Sequence, residues 1–214
     1  MASSEIKRIG VVGAGQMGNG IAHVAALAGY SVSLSDVGSE AIERGMATIQ
    51  SNLARMVRKE KISQEDADAA IGRISTGCEL SIHADADLVV EAATENPEIK
   101  FQIFRELDSV VGDECILASN TSSISITAIA AQTGRPHKVV GMHFMNPVPI
   151  MKLVELIPGL ATDDDAFKAV EACAQSMGKT TVVARDMPVF IVNRVLMPYI
   201  NEAAYALYEG IGSV

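Results

Sequence analysis

Tryptophan is absent from the 214 residues, and aromatic residues make up only 4% of them. The three cysteines, Cys78, Cys115 and Cys173, form neither a CxxC pair nor a metal-ligand pattern. We therefore expect buried thiols in a reducing compartment and no bound metal. No apolar run reaches the roughly 18 residues that a membrane-spanning helix needs, and the first residues lack the layout of a signal peptide. These absences predict a cytoplasmic protein without membrane contact.

Positive charge is also scarce, with 17 Lys and Arg against 26 Asp and Glu and a formal net charge of −9. This balance excludes nucleic acid as a partner, because a nucleic-acid-binding face needs dense positive charge to neutralise phosphates. An anionic small ligand is still compatible with the composition if basic residues are gathered locally. The hydrophobic content of 49% is typical of a folded globular protein.

Apolar strands alternate with helices through most of the sequence. Because the strands are apolar without interruption, the pattern is typical of a parallel sheet covered by helices on both faces. Two successive helices between the second and third strands add a helical arm. Strands are predicted over 6–12, 30–36, 87–93, 115–119, 138–144, 153–157 and 180–185.

Residues 1–186 are predicted to form this α/β domain, and residues 187–214 the beginning of a C-terminal all-α domain. The last helix, in FIVNRVLMPYINEAAYALYEG, is apolar on most sides and should be buried by further helix. Because the sequence stops soon after Gly210, we expect most of that helical domain to be missing from this chain.

The motif GAGQMG directly follows the first predicted strand and opens the first helix. In this context Gly13 allows a tight turn, Gly15 lets the backbone approach a pyrophosphate, and Gly18 lets the helix lie against the sheet. The N-terminus of the helix would then face the phosphates. The predicted cofactor loop consists of Gly13, Ala14, Gly15, Gln16, Met17 and Gly18.

Asp36 ends the second predicted strand, where a bound dinucleotide would present its ribose hydroxyls. Its carboxylate would repel a 2′-phosphate, and the following Val37 and Gly38 offer no arginine to hold one. The motif and this aspartate together predict a Rossmann-type, doubly wound fold that binds NAD rather than NADP. The alternative, a glycine turn for packing followed by an ordinary helix-capping Asp, is the weaker interpretation because four elements stand in register.

A histidine and a glutamate stand on two apolar strands joined by a proline-rich turn, in GMHFMNPVPIMKLVELIPG. If the strands fold back on one another, His143 and Glu155 meet near one edge of the sheet. The carboxylate would then fix the imidazole tautomer and leave the other ring nitrogen free to accept a proton. The residues alone leave two interpretations evenly balanced, a satisfied polar pair in the core and an acid/base pair beside a nicotinamide.

Several other polar groups also have two interpretations each. Ser122 and Ser123 follow a buried strand at the edge where such folds bind ligands, but a serine before a helix is usually an N-cap. Glu95 and Lys100 form an ion pair either at the edge of a site or merely at the surface. Asn193, on the last helix, is either a backbone-satisfied core residue or part of a site.

The segment RMVRKEK gathers positive charge in an otherwise acidic chain. On a helix, Arg55, Arg58 and Lys59 fall three and four residues apart and share one face. Spacing alone does not decide between a solvated face and a landing site for a polyanionic substrate.

Five segments together resemble the 3-hydroxyacyl-CoA dehydrogenase family, in particular its bacterial 3-hydroxybutyryl-CoA dehydrogenase branch. They are GVVGAGQMGNGIAHV, DLVVEAATENPEIK, ILASNTSSISIT, GMHFMNPVPIMKLVEL and NRVLMPYINEA. The resemblance runs through almost the whole chain, and HFMNPVP followed by KLVE is its most specific part. It implies NAD-dependent oxidation of the 3-hydroxyl group of a short-chain acyl-CoA, reversible to reduction of a 3-ketoacyl-CoA.

The resemblance also implies roles for individual residues. His143 would be the base and Glu155 its orienting partner. Ser122 would bond the substrate oxygen, and Asn193 would help to position it. Outside the glycine loop, the implied cofactor contacts are Asp36, Glu95, Lys100, Ser122 and Asn146.

The basic helix corresponds to the CoA-binding arm of the family, with Lys59 as the best candidate contact and Asn52 as a weaker one. The sequence departs from the family at Val189, where a glycine is usual between Pro188 and Phe190. If that glycine takes a positive φ, valine is strained there or the turn is reshaped. Family members also continue with several helices that close over the acyl chain and form a homodimer interface, so closure and dimerisation are open for this chain.

Two alternative functions share the nucleotide motif. One is a catalytically silent, NAD-binding structural protein of the lambda-crystallin kind, which has no need of His143, Glu155, Ser122 and Asn193 together. The other is an NAD-dependent dehydrogenase of small hydroxy acids, which leaves the basic helix unexplained.

Overall fold

Eight strands form one sheet in the order β3-β2-β1-β4-β5-β6-β7-β8 in the computed structural model, which describes residues 6–214. The strands are β1 (Arg8–Val12), β2 (Ser31–Ser35), β3 (Ile74–Gly77), β4 (Leu88–Glu91), β5 (Ile116–Ser119), β6 (Val139–Phe144), β7 (Leu153–Pro158) and β8 (Thr180–Val183). Every neighbouring pair is parallel except β6 and β7, which are antiparallel. The predicted mostly parallel α/β sheet is confirmed.

Seven α-helices accompany the sheet in the described part of the chain. They are α1 (Gln16–Leu27), α2 (Ser39–Arg58), α3 (Gln64–Gly72), α4 (Pro97–Val110), α5 (Ile126–Ala130), α6 (Asp164–Ser176) and α7 (Val192–Tyr208). The helices α2 and α3 form the predicted arm between the second and third strands, and Ser63 starts α3 through a reciprocal capping box with Asp66.

The central strands are buried on both faces, which explains why their sequences are apolar without interruption. One core cluster contains Ile21 of α1 and Leu156 of β7, and a second contains Phe104 of α4 and Ile126 of α5. Helices therefore cover both faces, and the loops that follow the central strands open at one edge of the sheet.

The edge strand β3 was missed by the sequence prediction. Its residues, ISTG, are half-buried or exposed, so they show neither a hydrophobic run nor a clean alternation. It pairs with β2 in parallel, from Val32 opposite Ile74 to Ser35 opposite Gly77.

The last helix, α7, differs from the others because none of its residues is buried. Val195 and Tyr199, for example, are 67% and 71% exposed. The expected covering of this helix is therefore not supplied by residues 6–214. The division of the chain at 186/187 stays a prediction, and the first five residues of the predicted domain lie outside the described ones.

Two expectations about individual residues have definite outcomes. Val189 adopts φ +63° and the next residue, Phe190, φ +51°, so both lie in the left-handed region that disfavours them. Cys115 and Cys173 are buried as predicted, and burial raises their thiol pKa values to about 12 and about 11. The same expectation is wrong for Cys78, which is exposed. Within residues 6–214, no helix combines the length and apolarity needed to cross a membrane.

Candidate active site

The strand order reverses direction at β1, which lies between β2 on one side and β4 on the other. Open α/β sheets bind ligands at such a switch point, outside the carboxyl ends of the strands. The residues after β1, β2, β4, β5 and β6 converge on this edge, and they include most of the predicted site residues.

The glycine turn between β1 and α1 has the shape that a pyrophosphate cradle requires. Gly13 adopts φ +99°, and a Cβ there would lie 2.7 Å from the carbonyl oxygen of Ala92. A Cβ on Gly18 would overlap the carbonyl oxygen of Gly13, whereas one on Gly15 would meet nothing within 4 Å. Backbone at Gly15 is thus open to a ligand, while the other two glycines close the turn.

The first turn of α1 carries no acidic side chain, so its amides and dipole can face an anion. The Asp36 carboxylate accepts a hydrogen bond from the Ala14 amide at 2.8 Å, which ties the end of β2 to the turn. These groups fit the phosphates and ribose of a dinucleotide.

A cavity of about 450 Å³ extends from this turn along α2. Its walls bring together predicted site residues from four separate segments, namely Gly15, Gln16, Asp36, Asn52 and Asn146. Arg44, on the same side of α2 as Asn52, also lines it and was not predicted. No sequence signal singled it out, because an arginine at this place in a helix reads as a solvated residue.

His143 and Glu155 face one another directly in the antiparallel ladder between β6 and β7. The imidazole Nδ1 lies 2.8 Å from Glu155 Oε2, and the carboxylate is wholly buried. The two side chains meet as expected from the folding back of the strands. An ionised carboxylate only accepts hydrogen bonds, so in a neutral imidazole this contact assigns the hydrogen to Nδ1 and the lone pair to Nε2. The ring of Phe190 packs against the imidazole, with ring centroids 5.8 Å apart.

The second oxygen of Glu155 has a role that the sequence did not predict. Oε1 accepts hydrogen bonds from the backbone amides of Ile191 and Val192, both at 2.9 Å. These amides belong to the start of α7, so the side chain of Glu155, which stands on β7, caps that helix. Asn193 is the next residue of the helix, so this contact also fixes the position of the Asn193 backbone.

Ser122 lies in the loop after β5, together with Thr121 and Ser123. Hydrogen bonds to the Glu95 carboxylate hold this loop. Glu95 Oε1 accepts from Thr121 Oγ1 at 2.6 Å, from the Ser122 amide at 2.9 Å and from Ser122 Oγ at 3.1 Å. Burial works to raise the pKa of Glu95, but these hydrogen bonds and the charge of Lys100 outweigh it and lower the pKa. Glu95 is thus a carboxylate that organises the loop of Ser122.

The predicted ion pair between Lys100 and Glu95 is present, with Nζ 3.5 Å from Oε2. Lys100 is nevertheless only 1% exposed, and its closer partner is the buried Glu91, at 2.7 Å. Sequence reasoning missed this partner, as it missed Asn120, whose Oδ1 accepts from the Phe144 amide at 2.9 Å. The position of Asn120 directly after a buried strand was the available signal.

The basic segment at the end of α2 is exposed at Arg55, Arg58 and Lys59. None of the three forms an ion pair with another of the described residues. Asn52 joins this segment to the cavity, because it lies one to two turns before the basic residues on the same helix. Lys59 itself lies at the C-cap of α2, away from the glycine turn.

Comparison with known proteins gives a consistent picture. Residues 8–187 match the sequence model of the family described as "3-hydroxyacyl-CoA dehydrogenase, NAD binding domain". The chain is 56% identical over 209 residues to a 3-hydroxybutyryl-CoA dehydrogenase of Bradyrhizobium diazoefficiens, a match that covers 98% of this chain and 71% of that protein. It is 51% identical over 207 residues to a probable 3-hydroxybutyryl-CoA dehydrogenase of Bacillus subtilis, covering 97% and 72%.

Among solved structures, the crystal structure of (S)-3-hydroxybutyryl-CoA dehydrogenase from Ralstonia eutropha superposes with a TM-score of 0.94 at 46% identity. That match covers 98% of this chain and 74% of the other. The similarity therefore includes the sheet, both helical layers and the site.

Proposed function

This chain belongs to the 3-hydroxyacyl-CoA dehydrogenase family, and from that premise we propose how its residues perform the reaction. It is an NAD-dependent 3-hydroxyacyl-CoA dehydrogenase. The substrate we propose is a short-chain 3-hydroxyacyl-CoA, with 3-hydroxybutyryl-CoA oxidised to acetoacetyl-CoA and the reverse reaction equally available. The single observation that carries the mechanism is the buried bond between His143 and Glu155.

The cofactor would be held at the carboxyl edge of the sheet. The open backbone at Gly15 and the first turn of α1 would receive the pyrophosphate, and Asp36 the ribose hydroxyls. The remaining proposed contacts are Gly13, Ala14, Gln16, Met17, Gly18, Glu95, Lys100, Ser122 and Asn146. When bound, NAD supplies the acceptor for the hydride that leaves C3 of the substrate.

His143 would take the proton of the 3-hydroxyl group on Nε2, while Nδ1 keeps its hydrogen bond to Glu155. The imidazolium so formed lies beside a buried carboxylate, which stabilises it without taking the proton. In the direction of reduction, the same Nε2 returns a proton to the 3-keto oxygen. Proton and hydride thus leave the same carbon–oxygen unit by separate routes, and the ketone remains.

Ser122 and Asn193 would position the reacting oxygen from two sides of His143. Ser122 stands in the loop that Glu95 organises, and Asn193 stands in the helical turn that Glu155 caps. The CoA moiety would lie along α2, with Asn52 on the cavity wall and Lys59 among the unpaired basic residues. These basic residues favour an acyl-CoA over a small hydroxy acid, because the phosphates of CoA need local positive charge.

The test is the oxidation of NADH with acetoacetyl-CoA by the unchanged chain and by His143→Gln. Loss of the general acid should lower kcat by about 10²- to 10⁴-fold. The matched control is His137→Gln, which changes an exposed histidine outside the site and should keep wild-type activity.

Equal activity of the unchanged chain and His143→Gln would contradict the assigned mechanism. Tight NADH binding without turnover, even at high protein concentration, would instead support the catalytically silent alternative. Turnover of small hydroxy acids in preference to acetoacetyl-CoA would reject the CoA substrate.

A further inference from the structure

Glu91, the last residue of β4, is a wholly buried carboxylate with four donor contacts. Oε1 accepts from the Ala93 amide at 2.8 Å and from Lys100 Nζ at 2.7 Å. Oε2 accepts from Lys100 Nζ at 2.9 Å and from Ser119 Oγ at 2.7 Å. Donors from the loop after β4, from α4 and from β5 therefore meet on one side chain.

Lys100 connects the buried Glu91 to the edge of the site. Its ammonium group bridges the buried Glu91 and the partly exposed Glu95, whose Oε2 lies 3.5 Å from Nζ. A buried ammonium group must be held by opposite charge, so the position of Lys100 is determined by Glu91 beneath it. Glu95 is in turn held by its ion pair with the Lys100 ammonium group.

The other oxygen of Glu95 fixes the loop after β5. Oε1 accepts hydrogen bonds from Thr121 Oγ1, the Ser122 amide and Ser122 Oγ, all within 3.1 Å. A continuous path of hydrogen bonds and one ion pair thus runs from Glu91 through Lys100 and Glu95 to Ser122. It joins the loops after β4 and β5 into one unit at the edge of the site.

We propose that Glu91 is a positioning residue, which places Ser122 for the substrate oxygen through Lys100 and Glu95. This inference rests on the proposed function, because it takes Ser122 as a substrate contact. Glu91 itself touches neither cofactor nor substrate, since it is 0% exposed. Burying two charges carries a desolvation cost that offsets much of their attraction, so a buried ion pair is weak evidence for a role in stability.

The first experiment is a double-mutant cycle of Glu91→Gln with Ser122→Ala, measured as kcat/KM for acetoacetyl-CoA. A displaced serine should lower kcat/KM by about 10²-fold in Glu91→Gln. In the Ser122→Ala background, with NADH saturating, the same change should cost less than about threefold, because the group that Glu91 positions for the substrate is already gone. Independent, additive losses would overturn the inference.

Asp108→Asn is the matched control, since Asp108 stands on α4, as Lys100 does, and like Glu91 pairs with a basic residue. Its Oδ1 accepts from Arg135 Nε at 2.6 Å, at the far end of the helix from Lys100. This variant should lose stability without any coupling to Ser122→Ala. Coupling as large as that of Glu91→Gln would mean that general loosening of α4, rather than positioning, causes the effect.

The second experiment does not depend on turnover. Amide hydrogen exchange of Ser122 and Ala93 should quicken by at least about tenfold in Glu91→Gln, because each amide bonds a carboxylate of this path. If Glu91→Gln does not fold, Ser119→Ala removes one donor, keeps both charges and should show the same change to a smaller degree. Unchanged exchange at Ser122 would overturn the inference, whereas absence of turnover in the unchanged chain would overturn only the proposed function.

Discussion

The α/β body (residues 6–186) and the C-terminal segment (residues 187–214) are held in place by different forces. The body buries its central strands completely on both faces, while no residue of α7 is buried. Among the described residues of the segment, hydrophobic burial is limited to Phe190, directly before α7, which belongs to the core cluster of Phe104 and Ile126. Directed polar contacts hold the start of the helix together with this ring.

One carboxylate contacts the start of α7, and a second, next to the junction, closes the start of a helix within the body. Glu155 of the body accepts from the amides that begin α7. Asp186, at the end of the body, accepts from the Ile126 and Thr127 amides that begin α5, at 2.9 and 2.8 Å. The first amides of a helix have no partner within the helix. In both cases a carboxylate from elsewhere in the chain accepts their hydrogen bonds.

Glu155 therefore contacts both regions at once. One oxygen orients His143 inside the body, and the other anchors α7, which carries Asn193. The proposed base and a proposed substrate contact therefore share one positioning group. Changes at this residue should be felt in catalysis before they are felt in the stability of the body.

The largest effect is expected from Glu155→Gln, which keeps the size of the side chain but removes its charge. Gln can still accept one amide of α7, whereas the imidazolium of His143 loses its counter-charge. We expect kcat for NADH oxidation with acetoacetyl-CoA to fall by about 10²- to 10³-fold, with a much smaller change in the free energy of unfolding. Steady-state kinetics and urea unfolding measure the two effects.

Glu114→Gln is the control for charge alone, because Glu114 is an exposed acid whose ion-pair partner among residues 6–214 is Lys138. It should leave kcat unchanged. A Glu155→Gln variant with wild-type kcat would show that the carboxylate anchors α7 only, and the double role would be rejected.

A second effect separates the two regions by pH. Burial lowers the pKa of His83 to about 4, and burial together with the charge of Lys179 lowers that of His23 to about 4. The unfolded chain then binds more protons than the folded one as the pH falls from 6.5 towards 4. The free energy of unfolding should drop over this range by about 1 kcal/mol per pH unit for each histidine.

The measurement is urea unfolding at a series of pH values, for the unchanged chain and for His83→Gln. Gln does not titrate, and it can still bond the two hydroxyls that hold the ring, Ser33 Oγ at 2.7 Å and Ser35 Oγ at 2.8 Å. The slope between pH 6 and 5 should fall by about half. An unchanged slope in His83→Gln would show that His83 is not the group that titrates.

The capping of α5 by Asp186 should respond at lower pH than the two buried histidines. Burial works to raise the pKa of Asp186, but hydrogen bonds from Thr127, Ile126 and Ser125 outweigh it and lower the pKa below its ordinary 3.8. The stability that Asp186 contributes is thus present above that value and is lost only as the pH falls below it. Acid should therefore weaken the histidine-containing body first.

The sequence predicted the parts of this arrangement that depend on residue type and spacing. Alternating apolar segments were sufficient for seven of the eight strands, and the proline-rich turn indicated that His143 and Glu155 could meet. The capping of α7 was not predictable, because its donors are backbone amides, which look the same at every residue. The pair of Glu91 and Lys100 depends on how α4 is rotated against β4, and local spacing does not contain that angle.

The smallest effect concerns the turn that joins the two regions. Val189 has φ +63°, a conformation that costs a β-branched residue about 1–2 kcal/mol. Glycine relieves that strain but adds backbone entropy to the unfolded chain, which cancels about half of the gain. We therefore expect Val189→Gly to raise the free energy of unfolding by about 0.5–1 kcal/mol, measured by urea unfolding.

Val183→Gly is the matched comparison, because Val183 is an exposed valine in the regular strand β8, outside the residues with positive φ. The same substitution there should lower the free energy of unfolding by about 0.5–1 kcal/mol. Opposite signs at the two valines would assign the gain at Val189 to its backbone conformation. Equal losses would show that the turn tolerates valine at no cost.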